Sequence, residues 1–289
     1  MTLLAPHSGI PNAVESPLRR VTRIPIGLIA SIAAVVLFAL AVAFPSLIAT
    51  NDPYALHLNA ALHAPSTTWW FGTDESGRDL FSRVVFGTRE SLLIGVGATG
   101  VSMLLAIVLG SIAALSGRFA AGAVNRVIEV LFAFPALLLA LLLVAILGPS
   151  VGTQIFAVGI GTAPGYARII RGQILSAKSS GYVEAAVALG HSRGRILRQH
   201  ILPNALRPLV GIITLSIGQS IVWASSLSFL GLGVAPPSPE WGALLDSGRT
   251  YITQAWWLTV IPGLVIVALA LAATTLGKYL QNALEKGEK

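Results

Sequence analysis

Residues 24–48 read IPIGLIASIAAVVLFALAVAFPSLI, an uncharged apolar run that follows Arg19, Arg20 and Arg23. A helix that crosses the hydrocarbon core of a bilayer needs about 20 apolar residues, and this run supplies them. A secretory signal has the same order of charge and then apolarity, but its apolar core is only about 7–15 residues long. A retained first helix is therefore favoured, while the small residues Ala39, Ala41 and Ala43 leave a cleavage site open as the alternative. Similar runs recur at about 90–115, 127–147, 150–170, 208–230 and 256–277. The pattern predicts an all-α, polytopic membrane protein with six transmembrane helices.

Composition points the same way. The chain is 54% hydrophobic and 11% charged, with a mean hydropathy of +0.78, far from the balance of a soluble globular domain. A net charge of +7 raises the question of nucleic acid, but no aromatic-interleaved basic module accompanies it, and no nucleic-acid partner is expected. The chain has no cysteine, which excludes a disulfide framework, thiolate metal ligands and thiol catalysis.

The expected organisation is a polar segment at 1–23, a first helix at 24–49, and an outer loop at 50–89 that carries Asp52, Asp74, Glu75, Arg78, Asp79 and Arg83. A core at 90–280 follows, with a long loop at 172–207 and an outer loop at 231–255, and then a tail at 281–289. With six crossings, fifteen of the nineteen Lys and Arg residues fall on the side of the termini and of the 172–207 loop, and only Arg78, Arg83, Arg89 and Arg249 on the other. The positive-inside rule then puts both termini in the cytoplasm. Five of the six tryptophans, Trp69, Trp70, Trp241, Trp256 and Trp257, fall at or beyond the outer interface on this topology. The run at 150–170 is interrupted by Gly152, Gly159, Gly161, Pro164 and Gly165. Such a helix survives where neighbours satisfy its freed backbone groups, so it belongs inside the bundle.

The long cytoplasmic loop reads as two helices and a turn. The first lies near Tyr182 to Leu189, with Ala185, Ala186 and Ala188 as helix formers and Gly190 as a left-handed terminus. Ser192 is placed to cap a second helix from Arg193 to Ile201, which Pro203 and Pro208 are expected to interrupt. A hairpin tied to two membrane helices is built to transmit a displacement.

Tyr-Val-Glu-Ala-Ala-Val-Ala-Leu-Gly at 182–190, followed by His-Ile-Leu-Pro-Asn at 200–204, resembles the EAA loop of binding-protein-dependent ABC importer permeases. Glu184, Ala185, Ala186, Gly190, Leu202 and Pro203 fill the motif, and His200 departs from it in a form associated with the dipeptide, oligopeptide and nickel branch. Phe71-Gly-Thr-Asp-Glu-Ser-Gly-Arg-Asp-Leu80, Gly165-Tyr-Ala-Arg168, and Leu227-Ser-Phe-Leu-Gly-Leu-Gly233 with Pro236, Pro237 and Trp241 resemble the C-type, second membrane subunit of that branch. The resemblance covers roughly residues 70 to 280.

The resemblance implies the type I importer permease fold and an inner-membrane location. It implies an importer fed by an extracytoplasmic binding protein, with a second related permease forming a heterodimer, and two cytoplasmic ATPase subunits or domains that bind ATP and Mg. It also implies that Tyr182, Glu184, Ala185, Ala186, Leu189, Gly190, His191, Ser192, Arg193, Arg195 and Pro203 form the ATPase-coupling element. Peptides are the leading cargo, with nickel chelates, glutathione-like compounds and haem as alternatives.

From the residues themselves, no phosphate-binding G-x-x-x-x-G-K-[ST] loop occurs in the chain, so any ATP chemistry belongs to a separate polypeptide. No acid–base or nucleophile set and no metal-site spacing is present: the histidines at 7, 57, 63, 191 and 200 lack it. Polar or aromatic residues within a bundle often line a path, which makes Gln154, Gln219, Trp223, Ser225 and Ser226 pore candidates. A membrane scaffold without transport is the reading from a different class. The acids of the two outer loops are either solvated, paired with Arg78, Arg83 and Arg249, or part of a docking surface.

Overall fold

Small side chains set how closely the helices approach. The computed structural model describes residues 26–286, and the N-terminal cytoplasmic segment assigned to 1–23 lies outside the described residues. Helices α1 (Ile26–Ala43), α2 (Leu80–Leu115), α3 (Arg118–Ala133), α4 (Ala136–Leu147) and α5 (Val151–Lys178) come first. They are followed by α6 (Gly181–Ala188), α7 (Leu209–Leu227), α8 (Trp241–Arg249) and α9 (Trp257–Lys286). Among the described residues no strand forms; there is one isolated bridge, between Thr73 and Asp79.

The most extensive helix pair is α2 with α5. Buried Gly95, Ala98, Ser102, Ala106, Gly110 and Ala113 follow one another three or four residues apart along α2, and α5 answers with Gly159, Ala163, Ala167, Ile170 and Ile174. A methyl group on Gly110 would stand 2.8 Å from the Ala167 carbonyl oxygen, and one on Gly159 would stand 2.7 Å from Val101. Lipid tails are as apolar as leucine, so close van der Waals packing, not exclusion from water, holds these helices together. Of the glycines that interrupt the 150–170 run, Gly159 meets α2, Gly161 meets Ala136 of α4 and Gly165 faces Phe132 of α3, whereas Gly152 is exposed.

The expectation of six crossings is not reproduced. Four helices are long and apolar enough to cross: α1, α2, α7 with its extension to Leu232, and α9. A fifth arises if α3 and α4, bent by 90° to each other, count as one broken span. The bend falls where Phe134 adopts extended backbone before Pro135, which disfavours the helical region for its predecessor. Helix α4 has 12 residues, about 18 Å, and cannot span alone. Helix α5 has 28 residues and the length to cross, but its glycines, Gln154, Arg168 and Arg171 hold it below the apolarity of the others. Its buried face packs against α2, so the sequence need not make it lipophilic.

The α2 helix starts at Leu80, well inside the segment assigned to the outer loop. Asp79 caps it, accepting from the Ser82 amide at 3.2 Å and the Ser82 hydroxyl at 2.6 Å. The charges that argued for a loop are neutralised locally. Asp74 accepts from the backbone amides of Ser76 and Arg78 at 2.9 Å each and pairs with Arg78 Nε at 2.7 Å. Its other neighbour is Arg83 of α2, 3.3 Å away and almost fully buried. The turn that shapes this knot has Gly77 at φ +74, where a methyl group would sit 1.9 Å from the His57 carbonyl oxygen.

The second outer loop is fastened to the same knot. Arg83 donates to the Ser238 carbonyl at 3.4 Å, Ser238 donates its hydroxyl to Glu90, and the indole N–H of buried Trp241 donates to the Val84 carbonyl at 2.9 Å. Glu240 caps α8 through the amides of Gly242 and Ala243, both at 2.9 Å. Burial pushes the Glu240 carboxyl above its ordinary range, opposed by those amides and by the hydroxyls of Ser228 and Ser91. Glu75 pairs with Arg78 at 2.8 Å and Asp246 with Arg249 at 3.0 Å, so most of the outer acids are spent inside the protein. Asp52 remains exposed.

Replacing Asp74 with Ala leaves the buried Arg83 guanidinium without its countercharge, a loss of about 3–5 kcal/mol for a buried pair. Thermal unfolding in detergent is expected to drop by many degrees for Asp74→Ala and to stay at the native value for Asp52→Asn. Equal midpoints for the two variants would refute the knot as a stabilising element.

Candidate functional site

One end of the bundle carries a helical hairpin built from α6 and residues 193–206. Helix α6 ends in a hydrogen-bonded reversal: the Gly190 amide donates to the Val187 carbonyl at 3.0 Å and the His191 amide to the Ala186 carbonyl at 3.1 Å. Gly190 sits at φ +76, the left-handed conformation that lets both bonds form. Ser192 then caps the second arm, accepting from the Arg195 amide at 3.4 Å.

The second arm does not stop before Pro203 as the sequence suggested. A helical turn at Arg193–Ile196 passes into a π turn at Leu197–Ile201 and on into Leu202–Leu206. The wider turn is closed by the Leu202 amide bonding back to the Leu197 carbonyl. Proline has no amide to donate and crowds the carbonyl four residues earlier, and a turn of larger radius accommodates both effects without breaking the helix. The Asn204 side chain donates to the His200 carbonyl at 2.8 Å, which ties the last turn down.

One face of the hairpin is buried. Val183, Ala186, Ile196, Ile201 and Ala205 join a cluster with Ala106 and Ala113 of α2 and Ala167, Ile170, Ile174 and Ala177 of α5. The hairpin is therefore packed on the inner ends of the same two helices whose contact organises the bundle. The opposite face is open and apolar: Leu189 is 75% exposed, Val187 60% and Tyr182 43%. Ala185, Gly190, Ser192, Arg193 and Arg195 share its exposure. Glu184 is also exposed and, among the described residues, has no ion-pair partner. The coupling set drawn from the sequence thus divides. Ala186 faces inward, His191 is half-buried with its ring stacked on His200 at 6.0 Å, Pro203 belongs to the second arm, and the remainder faces outward.

The pore candidates also divide. Gln219 and Trp223 of α7 line a cleft of about 430 Å³ with Thr162 and Tyr166 of α5 and with Phe132 and Phe134 at the α3/α4 bend. The Tyr166 hydroxyl donates to Gln219 Oε1 at 3.3 Å. Arg168 lies 3.9 Å over the Phe132 ring and braces it from behind. Ser225 and Ser226 belong to a separate, mostly apolar groove of about 570 Å³ with Leu137, Leu245 and Ile266. Ser226 is satisfied within its own helix, donating to the Val222 carbonyl at 2.8 Å. Gln154 is fully buried and donates to Ser228 at 2.7 Å, joining α5 to the π turn at Ser228–Leu232. It lines neither space.

Residues 106–287 match the family described as "Binding-protein-dependent transport system inner membrane component". The chain belongs to this family. It is 38% identical over 257 residues to a probable D,D-dipeptide transport system permease protein of Escherichia coli (strain K12), with 89% of this chain and 86% of the relative aligned. It is 39% identical to a di/tripeptide transport system permease protein of Pseudomonas aeruginosa (strain UCBPP-PA14), with 86% of each chain covered. It is 41% identical to a glutathione transport system permease protein of Pectobacterium atrosepticum, over 76% of this chain and 73% of the relative. Among solved structures, the fold resembles the inward-facing MetNI methionine ABC transporter, with a TM-score of 0.58 at 18% identity over 70% of this chain and 96% of that one. The type I importer fold is thus shared.

The permease is a multi-pass inner-membrane protein and carries no ATPase site of its own; its machinery implies ATPase and substrate-binding partners. Sequence reading found Gln219 and Trp223 but missed Thr162, Phe132 and Phe134 as their neighbours, and it noted Tyr166 only as part of a motif. The three helices that meet at the cleft are far apart in sequence, and only the α3/α4 bend brings the phenylalanines in. The motif Gly165-Tyr-Ala-Arg168 was the available signal, since it puts a hydroxyl aromatic on a helix already expected to lie inside the bundle.

A methyl group on Gly190 meets nothing within 4 Å, so Gly190→Ala tests the backbone alone. The left-handed conformation costs an alanine about 1–2 kcal/mol. The amides of residues 190 and 191 are then expected to exchange with solvent about five- to tenfold faster or more. Unchanged exchange there would mean that the reversal does not depend on glycine.

Proposed function

We propose that this permease forms half of a path that carries peptides into the cytoplasm, and that its cytoplasmic hairpin couples that path to ATP hydrolysis. The observation that carries the reading is the hairpin's two-sidedness: a buried face packed on α2 and α5, and an open apolar face with no partner among the described residues. Such a face fits a cleft of a second protein, and the rigid connection behind it converts movement of that protein into movement of membrane helices. Tyr182, Glu184, Ala185, Val187, Leu189, Gly190, Ser192, Arg193 and Arg195 are the contact residues on this reading, with Ala186 and Pro203 as its supports.

The partners are a second, related membrane subunit forming a heterodimer, two ATPase subunits or fused domains that hold ATP and Mg, and an extracytoplasmic protein that delivers cargo. Both termini lie on the cytoplasmic side, as the distribution of Lys and Arg favours. Relatives named for D,D-dipeptide and di/tripeptide transport support peptides as cargo. A relative named for glutathione transport supports a second reading, glutathione-like compounds, in the same machinery.

The test uses the assembled complex in proteoliposomes with its binding protein and labelled dialanine. Leu189→Asp puts a charge on the open apolar face, Glu184→Arg reverses the exposed acid of the hairpin, and Gly190→Pro disrupts the reversal. Each is expected to leave insertion intact while ATPase co-purification falls about tenfold or more, as for central interface residues. Wild-type recovery of the ATPases together with wild-type uptake would overturn the coupling role. Uptake of labelled glutathione but not of dialanine by the native complex would select the second cargo reading.

A further inference from the structure

We propose that Gln219, Trp223 and Tyr166 form a cargo-contact site in which uncharged N–H donors bind the carbonyl oxygens of a peptide. This inference rests on reading the chain as a peptide permease. Gln219 and Trp223 stand one helical turn apart, near the middle of the membrane-spanning helix Leu209–Leu232, and Tyr166 lies near the middle of α5. At that depth, lipid offers nothing to a hydrogen-bond donor, so donors exposed there face protein or a water-filled space.

Two donors are open. The Tyr166 hydroxyl occupies the carbonyl end of Gln219, at 3.3 Å, and the amide N–H₂ of Gln219 has no acceptor among the described residues. The Trp223 indole N–H has no acceptor among the described residues, in contrast to Trp241 and Trp257, whose indoles donate to the Val84 and Thr73 carbonyls. Sequence spacing of four residues puts both donors on one face of the helix. The aromatic rings of Phe132 and Phe134 wall the same cleft, and no carboxylate or cation lines it.

Those features define a ligand class. Free donors without charge select acceptors such as amide carbonyls over cations, and aromatic walls accept side chains of varied shape without demanding one of them. A volume of about 430 Å³ lies within the range of small-molecule sites. A transport path profits from such weak, neutral contacts, because a cargo held by a full ion pair would not leave.

The experiment uses the complete transporter in proteoliposomes, with labelled dialanine as the probe. Trp223→Phe keeps a ring and removes the donor, and Gln219→Leu keeps the bulk and removes the amide. The double variant is expected to assemble with its second membrane subunit and ATPases at native yield. Its ATP hydrolysis in the presence of loaded binding protein is expected to persist, while dialanine uptake falls about tenfold or more, as two lost hydrogen bonds require. Tyr166→Phe, which frees the Gln219 carbonyl end, is expected to fall less than the double variant. Native uptake by the double variant overturns the inference and leaves the peptide reading intact. Loss of the second membrane subunit from the purified complex also overturns it, because the cleft is then a subunit contact. If the unmodified complex carries no dialanine, the peptide reading fails and this inference fails with it.

Discussion

The contact between α2 and α5 is the constraint on which the rest of the permease depends. Without a hydrophobic driving force between helices, two of them associate only as closely as their side chains allow. Here glycine, alanine and serine bring the backbones to a separation where one added methyl group at Gly110 would meet a carbonyl oxygen at 2.8 Å. That contact fixes the axis of the bundle, seats the hairpin at one end and leaves room for the cleft at the other side of α5. Gln154 extends the same interface by hydrogen-bonding α5 to the π turn that closes α7.

The two ends of the bundle use different chemistry for different ends. The outer end is tied by charge: Asp74, Arg78, Arg83, Glu90 and Glu240 are drawn into one buried set of ion pairs and hydrogen bonds. The inner end is apolar on its inward side and largely bare on its outward side. On the coupling proposed above, a tied outer end and an open inner face suit a subunit that stays folded in the membrane while a separate motor pushes on it.

Much of this was legible in the sequence, for physical reasons that also explain the failures. Apolar runs report lipid contact, so α1, α2, α7 and α9 stand out, whereas α5 is lined by protein and needs only small residues. Hydropathy therefore under-reports a helix that protein, not lipid, surrounds. Gly190 and Ser192 were readable because a left-handed terminus and a helix cap each depend on a single residue type. The helix through Pro203 was not, because the π turn that admits it is a property of Leu197–Ile201 as a group, and none of those residues announces it. For Asp74 the sequence left pairing with Arg78 or Arg83 open beside solvation and docking, because Arg83 lies on a helix whose start is hidden by the very charges that neutralise each other.

The open face of the hairpin has a further consequence for the life of the chain before assembly. Contiguous bare apolar surface is uncommon on soluble proteins and marks either a partner site or a liability. A copy synthesised in excess of its partners would present Leu189, Val187 and Tyr182 bare, a recognisable flag for chaperones and proteases. On the coupling role proposed above, the side chains that receive force in the finished machine report, in the unfinished one, that a subunit is still missing.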